Sequence, residues 1–175
     1  MLESISHPNI IRYYETVYTS ETVNIVTEVV ENNSLVEYLR MQPSKRVSEK
    51  NARVIMKDLL KGLSYLHYNN IVHRDLKLEN ILISKDMRIK LIDFGFSTFD
   101  NQIHYDFCGT PHYISPEIIG KGGYTGQAAD IWAVGVIMYK ILTGAFPFKG
   151  LNDKMLYRKI CRGEYNQNMG LSLEA

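Results

Sequence analysis

Apolar residues follow two different periods along this chain of 175 residues. Near the start, "HPNIIRYYETVYTS" and "ETVNIVTEVV" are rich in β-branched and aromatic residues and are separated by polar residues around Ser20. That pattern predicts strands joined by a turn. Ser34 followed by Glu37 has the spacing of a capping box and predicts a short helix, "SLVEYLRM", that stops before Pro43. Ala52, Ile55, Leu59, Leu63 and Leu66 then recur at steps of three or four, which predicts a helix over residues 48–69 with one buried stripe. "ILI" and "RIKLI", joined by "SKDM", read as a β-hairpin, with Ile89 and Leu91 alternating with Arg88 and Lys90. Residues 127–143 are apolar nearly all round, as in a helix buried inside a domain. Residues 152–162 form a last helix that Gly163 ends. Strands first and mostly helices afterwards give an α+β class.

Residues 93–117 break both periods: they are polar and aromatic, with two Pro and two Gly. So long an irregular stretch inside a compact domain is more often functional than not. Composition narrows the field around it. An apolar fraction of 45% supplies the core of one domain, and a net charge of +1 shows no basic excess for nucleic acid and no acidic tail. Cys108 and Cys161 lack metal-ligand spacing and read as reduced thiols. "IWAVGVIMY", the longest uncharged apolar run, is too short to insert in a membrane, and no signal-peptide pattern opens the chain. The expectation is a soluble cytoplasmic protein.

The stretch "IVHRDLKLENIL" places Asp75, Lys77 and Asn80 in one loop between two apolar runs. Phosphoryl transfer from a nucleotide needs such groups: a carboxylate to orient and deprotonate the attacking hydroxyl, a cation near the transferred group, and metal ligands at the phosphates. "DFG" follows at residues 93–95, one hairpin later, and "SPE" at residues 115–117 closes the irregular stretch. One such tripeptide arises by chance, but three in order at these spacings do not.

With these motifs in place the chain resembles a eukaryotic protein kinase over essentially its whole length. "DIWAVG" and "GAFPF" match the helix that anchors the catalytic loop and the segment after it. The resemblance implies that Asp75 is the catalytic base, that Lys77 steadies the transferred group, and that Asn80 and Asp93 hold Mg²⁺ against the phosphates of ATP. Glu28 and Val30 take the hinge positions whose backbone reads the adenine edge, behind Thr27, and Leu82 lies under the ring. His73 and Phe94 are packing residues on this reading, and Asp130 is a buried anchor. For Glu31, Ser34 and Glu37 a helix start and a ribose contact both stand open. For Cys108 an inert thiol outweighs a redox sensor.

Lys77, two residues after the base, and "GTPHYISPE", with Thr110 packing on base and lysine, resemble the serine/threonine type. The expected partners are therefore proteins with Ser or Thr acceptors. "HPNII" and "ILTGAFPF" look most like the calcium/calmodulin-dependent and AMP-activated kinase group. Microtubule-affinity-regulating kinases read "TFCGSPPY", with a phosphorylatable Thr where this chain has Asp106 in "DFCGTPHY". A phosphate there adds about −1.5 to −2 charges beside the Arg of HRD, here Arg74. Asp106 either stands in for that phosphate or is a solvated loop carboxylate. Glu79 matches a position that helps basophilic kinases bind Arg, but two companion positions are Ser34 and Lys140, so no basic consensus is expected.

A Gly-rich loop, a strand Lys and its helix Glu partner do not occur in matching context. The expectation is a kinase domain cut at both ends: residues 1–27 a remnant of the N-lobe, 28–33 the hinge, and 34–175 a C-lobe lacking its last helices, with "LSLEA" starting the next one. An active kinase seen in part, an inactive pseudokinase-like binding module and a decoy for substrates all remain open.

Overall fold

The computed structural model describes residues 2–31, 33–167 and 170–172. Strands β1 (Tyr13–Tyr18) and β2 (Val23–Thr27) pair antiparallel, with Tyr18 opposite Val23. The Thr19 side-chain oxygen closes the turn by accepting the Thr22 N–H at 2.9 Å. Only the second half of the first β-rich run becomes strand. Residues before it instead clamp the hairpin to the body: the Asn9 amide donates to Ile89 O, and Ile11 N–H donates to Leu91 O. Tyr14, Val17, Val23 and Ile25 on this two-stranded ribbon stay exposed.

Next come β3 (Asn33–Ser34) and α1 (Leu35–Met41). Ser34 and Glu37 close the capping box in both directions, which settles that pair as a helix start. Helix α2 (Glu49–Tyr68) begins at a Ser48 cap, and all five residues of its predicted stripe are buried. Four short strands follow: β4 (Ile71–Val72), β5 (Ile81–Ile83), β6 (Ile89–Leu91) and β7 (Thr98–Phe99). β5 and β6 form the predicted hairpin and share a sheet with β3, whereas β4 pairs with β7. The irregular stretch is thus tied down at its start. A short helix, α3 (Pro116–Gly120), was legible only as a proline in its first turn.

Helix α4 (Gly126–Thr143) runs through the middle of the body, and α5 (Asp153–Arg162) ends at Gly163 with φ +63°. The main core joins Leu59, Leu63 and Leu66 of α2 to Ile81, Leu91 and Ile137. Among the described residues no helix is long and apolar enough to cross a membrane. Leu171 packs on the core and Ser172 donates to Glu49, while the rest of the helix start read in "LSLEA" lies outside the described residues.

Two glycines of α4 show how closely β4 is held. A Cβ at Gly126 would sit 2.5 Å from Val72 Cγ2, on a stiff β-branched side chain just before His73. A Cβ at exposed Gly135 would meet nothing within 4 Å. Urea midpoints should therefore move in opposite directions. Gly126→Ala loses about 1–3 kcal/mol by overpacking, and Gly135→Ala gains up to about 1 kcal/mol of helix propensity.

Candidate active site

The loop between β4 and β5 is shaped from below by one carboxylate. Asp130 of α4 is 1% exposed. Its Oδ1 accepts the Arg74 N–H at 2.8 Å, and its Oδ2 accepts the His73 N–H at 2.9 Å with His67 Nε2 also at 2.9 Å. Arg74 thereby takes φ +63°, a left-handed conformation unusual for a residue with a side chain. His73 is fully buried, and burial pushes its pKa down despite the pull of Asp130, so the imidazole is neutral. Ile92 O can only accept, so Nε2 carries the proton and donates at 3.1 Å, leaving Nδ1 to accept the Asp75 N–H.

Asp75 itself is 4% exposed, and a buried carboxylate needs partners. Lys77 Nζ donates to Oδ2, the Thr110 hydroxyl donates to Oδ1 at 2.8 Å, and Asn80 Nδ2 donates to Oδ2 at 3.2 Å and to Asp75 O at 3.0 Å. Asp75, Lys77 and Asn80 of one motif and Thr110 of a second therefore meet at one point. The Tyr113 hydroxyl steadies the same loop by accepting the Leu78 N–H at 3.4 Å.

Arg74 faces the irregular stretch. Its Nε donates to Phe96 O at 2.7 Å and its Nη1 pairs with Asp106 Oδ2 at 2.7 Å. One guanidinium thus fastens two distant points of residues 93–117 to the catalytic loop, and Asp106 is a paired rather than merely solvated carboxylate. Tyr124 adds its hydroxyl to Asp106 O and lies 3.4 Å from Cys108 Sγ. Burial pushes the Cys108 thiol up, which fits the inert reading.

Thr27, Glu28, Val30, Leu82, Ile92 and Asp93 line a cleft of about 730 Å³ between the β1–β2 ribbon and the body. All four residues assigned to nucleotide contact face this one space. The Glu28 carboxylate is held by Lys90 at 2.7 Å and the Arg12 N–H at 2.8 Å, and its own N–H donates to Arg12 O at 2.9 Å. Burial alone would raise the Glu28 carboxyl, but the bond from Lys90 and the Arg12 N–H outweigh it and hold it low. Asp93, at φ +61°, follows Ile92, whose N–H donates to Asn80 O at 3.0 Å, so Asn80 and Asp93 neighbour one another. Asn80 spends its amide nitrogen on Asp75, which leaves its oxygen for a cation. Asp93 gives one oxygen to the Gly95 N–H. The Asn80 amide oxygen and the Asp93 carboxylate are hard oxygen donors of the kind that Mg²⁺ prefers.

The protein kinase domain family matches residues 1–172. This chain belongs to the protein kinase family. Its relatives are of the serine/threonine type. CBL-interacting serine/threonine-protein kinase 1 of Arabidopsis thaliana is 39% identical over 168 residues, covering 93% of this chain and 37% of that protein. NUAK family SNF1-like kinase 1 of Mus musculus is 37% identical over 169 residues, covering 95% of this chain and 25% of that protein. The chain therefore spans well under half the length of the relatives it matches.

Motif reading of this kinase missed His67, Tyr113 and Tyr124. Each acts across a tertiary crossing, and nothing in the local pattern of a helix end or an irregular segment signals it.

Two outcomes follow for the loop. Asp130→Ala strips acceptors from two backbone N–H groups, each worth about 1–3 kcal/mol when left buried. It should lower the urea midpoint and speed amide exchange at His73 and Arg74 before that of α4. For Asp106, partial burial would raise the carboxyl, but the Arg74 guanidinium outweighs it and holds the pKa below the usual range. A depressed carboxylate stabilises above its unfolded value, about 3.9, and that contribution is lost as pH falls through the lower folded value. Exchange protection around Asp106 should thus stay level down to about pH 4, decline as pH falls from there through the lower folded value, and level off below it, whereas a loss that begins well above pH 4 would separate Asp106 from Arg74.

Proposed function

We propose that this chain carries the transfer site of a serine/threonine protein kinase, which moves the γ-phosphoryl group of ATP to Ser or Thr hydroxyls of proteins. The observation that carries the reading is the Asp75 carboxylate, gripped by Lys77, Thr110 and Asn80 beside the cleft that holds Leu82 and Asp93. Residues 1–27 then belong to the small lobe, residues 28–33 to the hinge, and residues 34–175 to the large lobe.

Asp75 orients the acceptor hydroxyl and takes its proton as the new O–P bond forms and the bond from the γ-phosphorus to the bridging oxygen breaks, with ADP as the leaving group. Lys77 donates to that buried carboxylate and offers positive charge to the group in flight. Thr110, from the far end of the irregular stretch, places the acceptor-side wall against the base, an arrangement that suits a short Ser or Thr side chain. Asn80 and Asp93 would hold Mg²⁺, which neutralises phosphate charge when bound. The backbone at Glu28 and Val30 meets the adenine edge, and Leu82 covers its face.

Asp106 belongs to the same reading as a regulatory residue. Its ion pair with Arg74 fastens the segment without phosphorylation, with one permanent charge in place of the phosphate's larger one.

Transfer from radiolabelled ATP to Ser, Thr and Tyr peptides, with and without Mg²⁺, tests the proposal. Asp75→Asn should lower the rate about 10²–10⁴-fold with the fold intact, and Tyr peptides should be poor acceptors. Asp106→Ala should lower the rate and loosen Arg74. If a folded chain with Mg²⁺ and ATP gives no transfer that Asp75→Asn can abolish, the inactive binding-module reading replaces this one.

A further inference from the structure

Thr110, which touches the base, opens a rigid shelf. The chain turns through Pro111–Tyr113, His112 stacks on Phe146 with ring centroids 4.3 Å apart, and Tyr113 meets the same ring edge-on at 5.5 Å. On that ring sits Lys140, from the last turn of α4, with its ammonium 4.7 Å from the centroid and donating to Gly144 O at 2.8 Å. The shelf therefore leads from the base to a fixed ammonium group. An extended polypeptide advances about 3.3 Å per residue, so residues flanking an acceptor at Asp75 are the ones that cross it.

The charge around Lys140 is one-sided. Lys45 and Lys149, from two separate loops, repel it, and Glu79 of the catalytic loop is the carboxylate that attracts it. Lys45 lies against the shelf through its backbone, since a Cβ on Gly144 would sit 3.3 Å from Lys45 O. Asp153 is the carboxylate that attracts His112. None of Lys45, Lys140 and Lys149 forms an ion pair among the described residues. A cation at a helix C-terminus is favourable in itself, which accounts for Lys140 but not for the two loop lysines gathered beside it. The whole chain carries a net charge of only +1, so this is a local excess. Part-burial already pushes the Lys140 ammonium toward its neutral form. An incoming anion offsets the mutual repulsion and favours the charged ammonium.

We infer that this lysine-rimmed shelf recognises an anionic side chain, a carboxylate or a phosphate, close to the acceptor in the substrate polypeptide. The inference names the substrate class of the kinase reading and rests on it.

Binding of fluorescent Ser peptides to the whole chain, followed by anisotropy, tests it. The peptides carry Ala, Asp, phosphoserine or Arg within a few residues on either side of the acceptor. Asp peptides should bind about three- to tenfold tighter than Ala peptides, as several partly exposed charge pairs provide, and Arg peptides should bind weaker. The advantage should shrink as salt rises. A gain confined to phosphoserine would make the ligand a phosphate, and a gain shared by Asp a carboxylate. Lys140→Glu should reverse the order of Asp and Arg peptides. Lys149→Glu, at an exposed position that leaves the Gly144 bond alone, should weaken the Asp peptides in the same sense. Equal binding of Ala, Asp and phosphoserine peptides, a preference for Arg, or no binding of any peptide overturns the inference. Phosphoryl transfer to the Ala peptide is scored separately. Transfer without charge preference overturns the inference alone, whereas charge preference without transfer overturns the kinase reading and leaves an anionic-peptide site.

Discussion

A single buried carboxylate, Asp130, sets the geometry on which the rest of the site depends. It comes from the most deeply placed helix, and it accepts two consecutive backbone N–H groups of the catalytic loop while meeting His67 of α2. A charge in that position is costly unless its lone pairs are filled. Here they are filled by the loop it shapes, so anchor and loop require each other. From that turn the side chains fan out: His73 inward to Ile92, Arg74 toward Phe96 and Asp106, and Asp75 toward Lys77 and Thr110.

The irregular stretch between the two halves of the site is long, yet it is fastened repeatedly. β7 pairs with β4, Arg74 holds Phe96 and Asp106, and Thr110 ends on Asp75. Charge and hydrogen bonding take over where apolar periodicity stops. The segment's order therefore responds to the state of a few ionised groups, while the α2–α4 core responds to packing.

Much of this was legible in the sequence, for identifiable reasons. Helices α1, α2 and α5 announce themselves through Ser34, Ser48, Asn152 and Gly163, because caps are local devices whose partners lie within one turn. The β5–β6 hairpin follows from alternation across four turn residues. The meeting of Asp75, Lys77 and Asn80 follows from their sharing one loop. What stayed hidden is long-range. The Asn9 amide reaches Ile89, Glu28 reaches Lys90, and Tyr124 reaches Asp106, each across a chain separation no local pattern spans. The first β-rich run was read as strand and turn together, and its opening half proved to be a clamp on β6 instead, decided by backbone bonds to Leu91.

Arg74 and Asp93 both stand at positive φ. For a residue with a Cβ that conformation costs on the order of 1–3 kcal/mol and persists only where the surroundings over-determine it. Here the surroundings are the Asp130 bonds at one position and the Ile92 and Gly95 contacts near the other. A short peptide copied from "IVHRDLKLENIL" would carry every reactive side chain and relax out of the arrangement at once. The chemistry is thus not portable with its letters: it belongs to the body that bends them, and a graft into another scaffold would have to bring the floor beneath the loop as well as the loop.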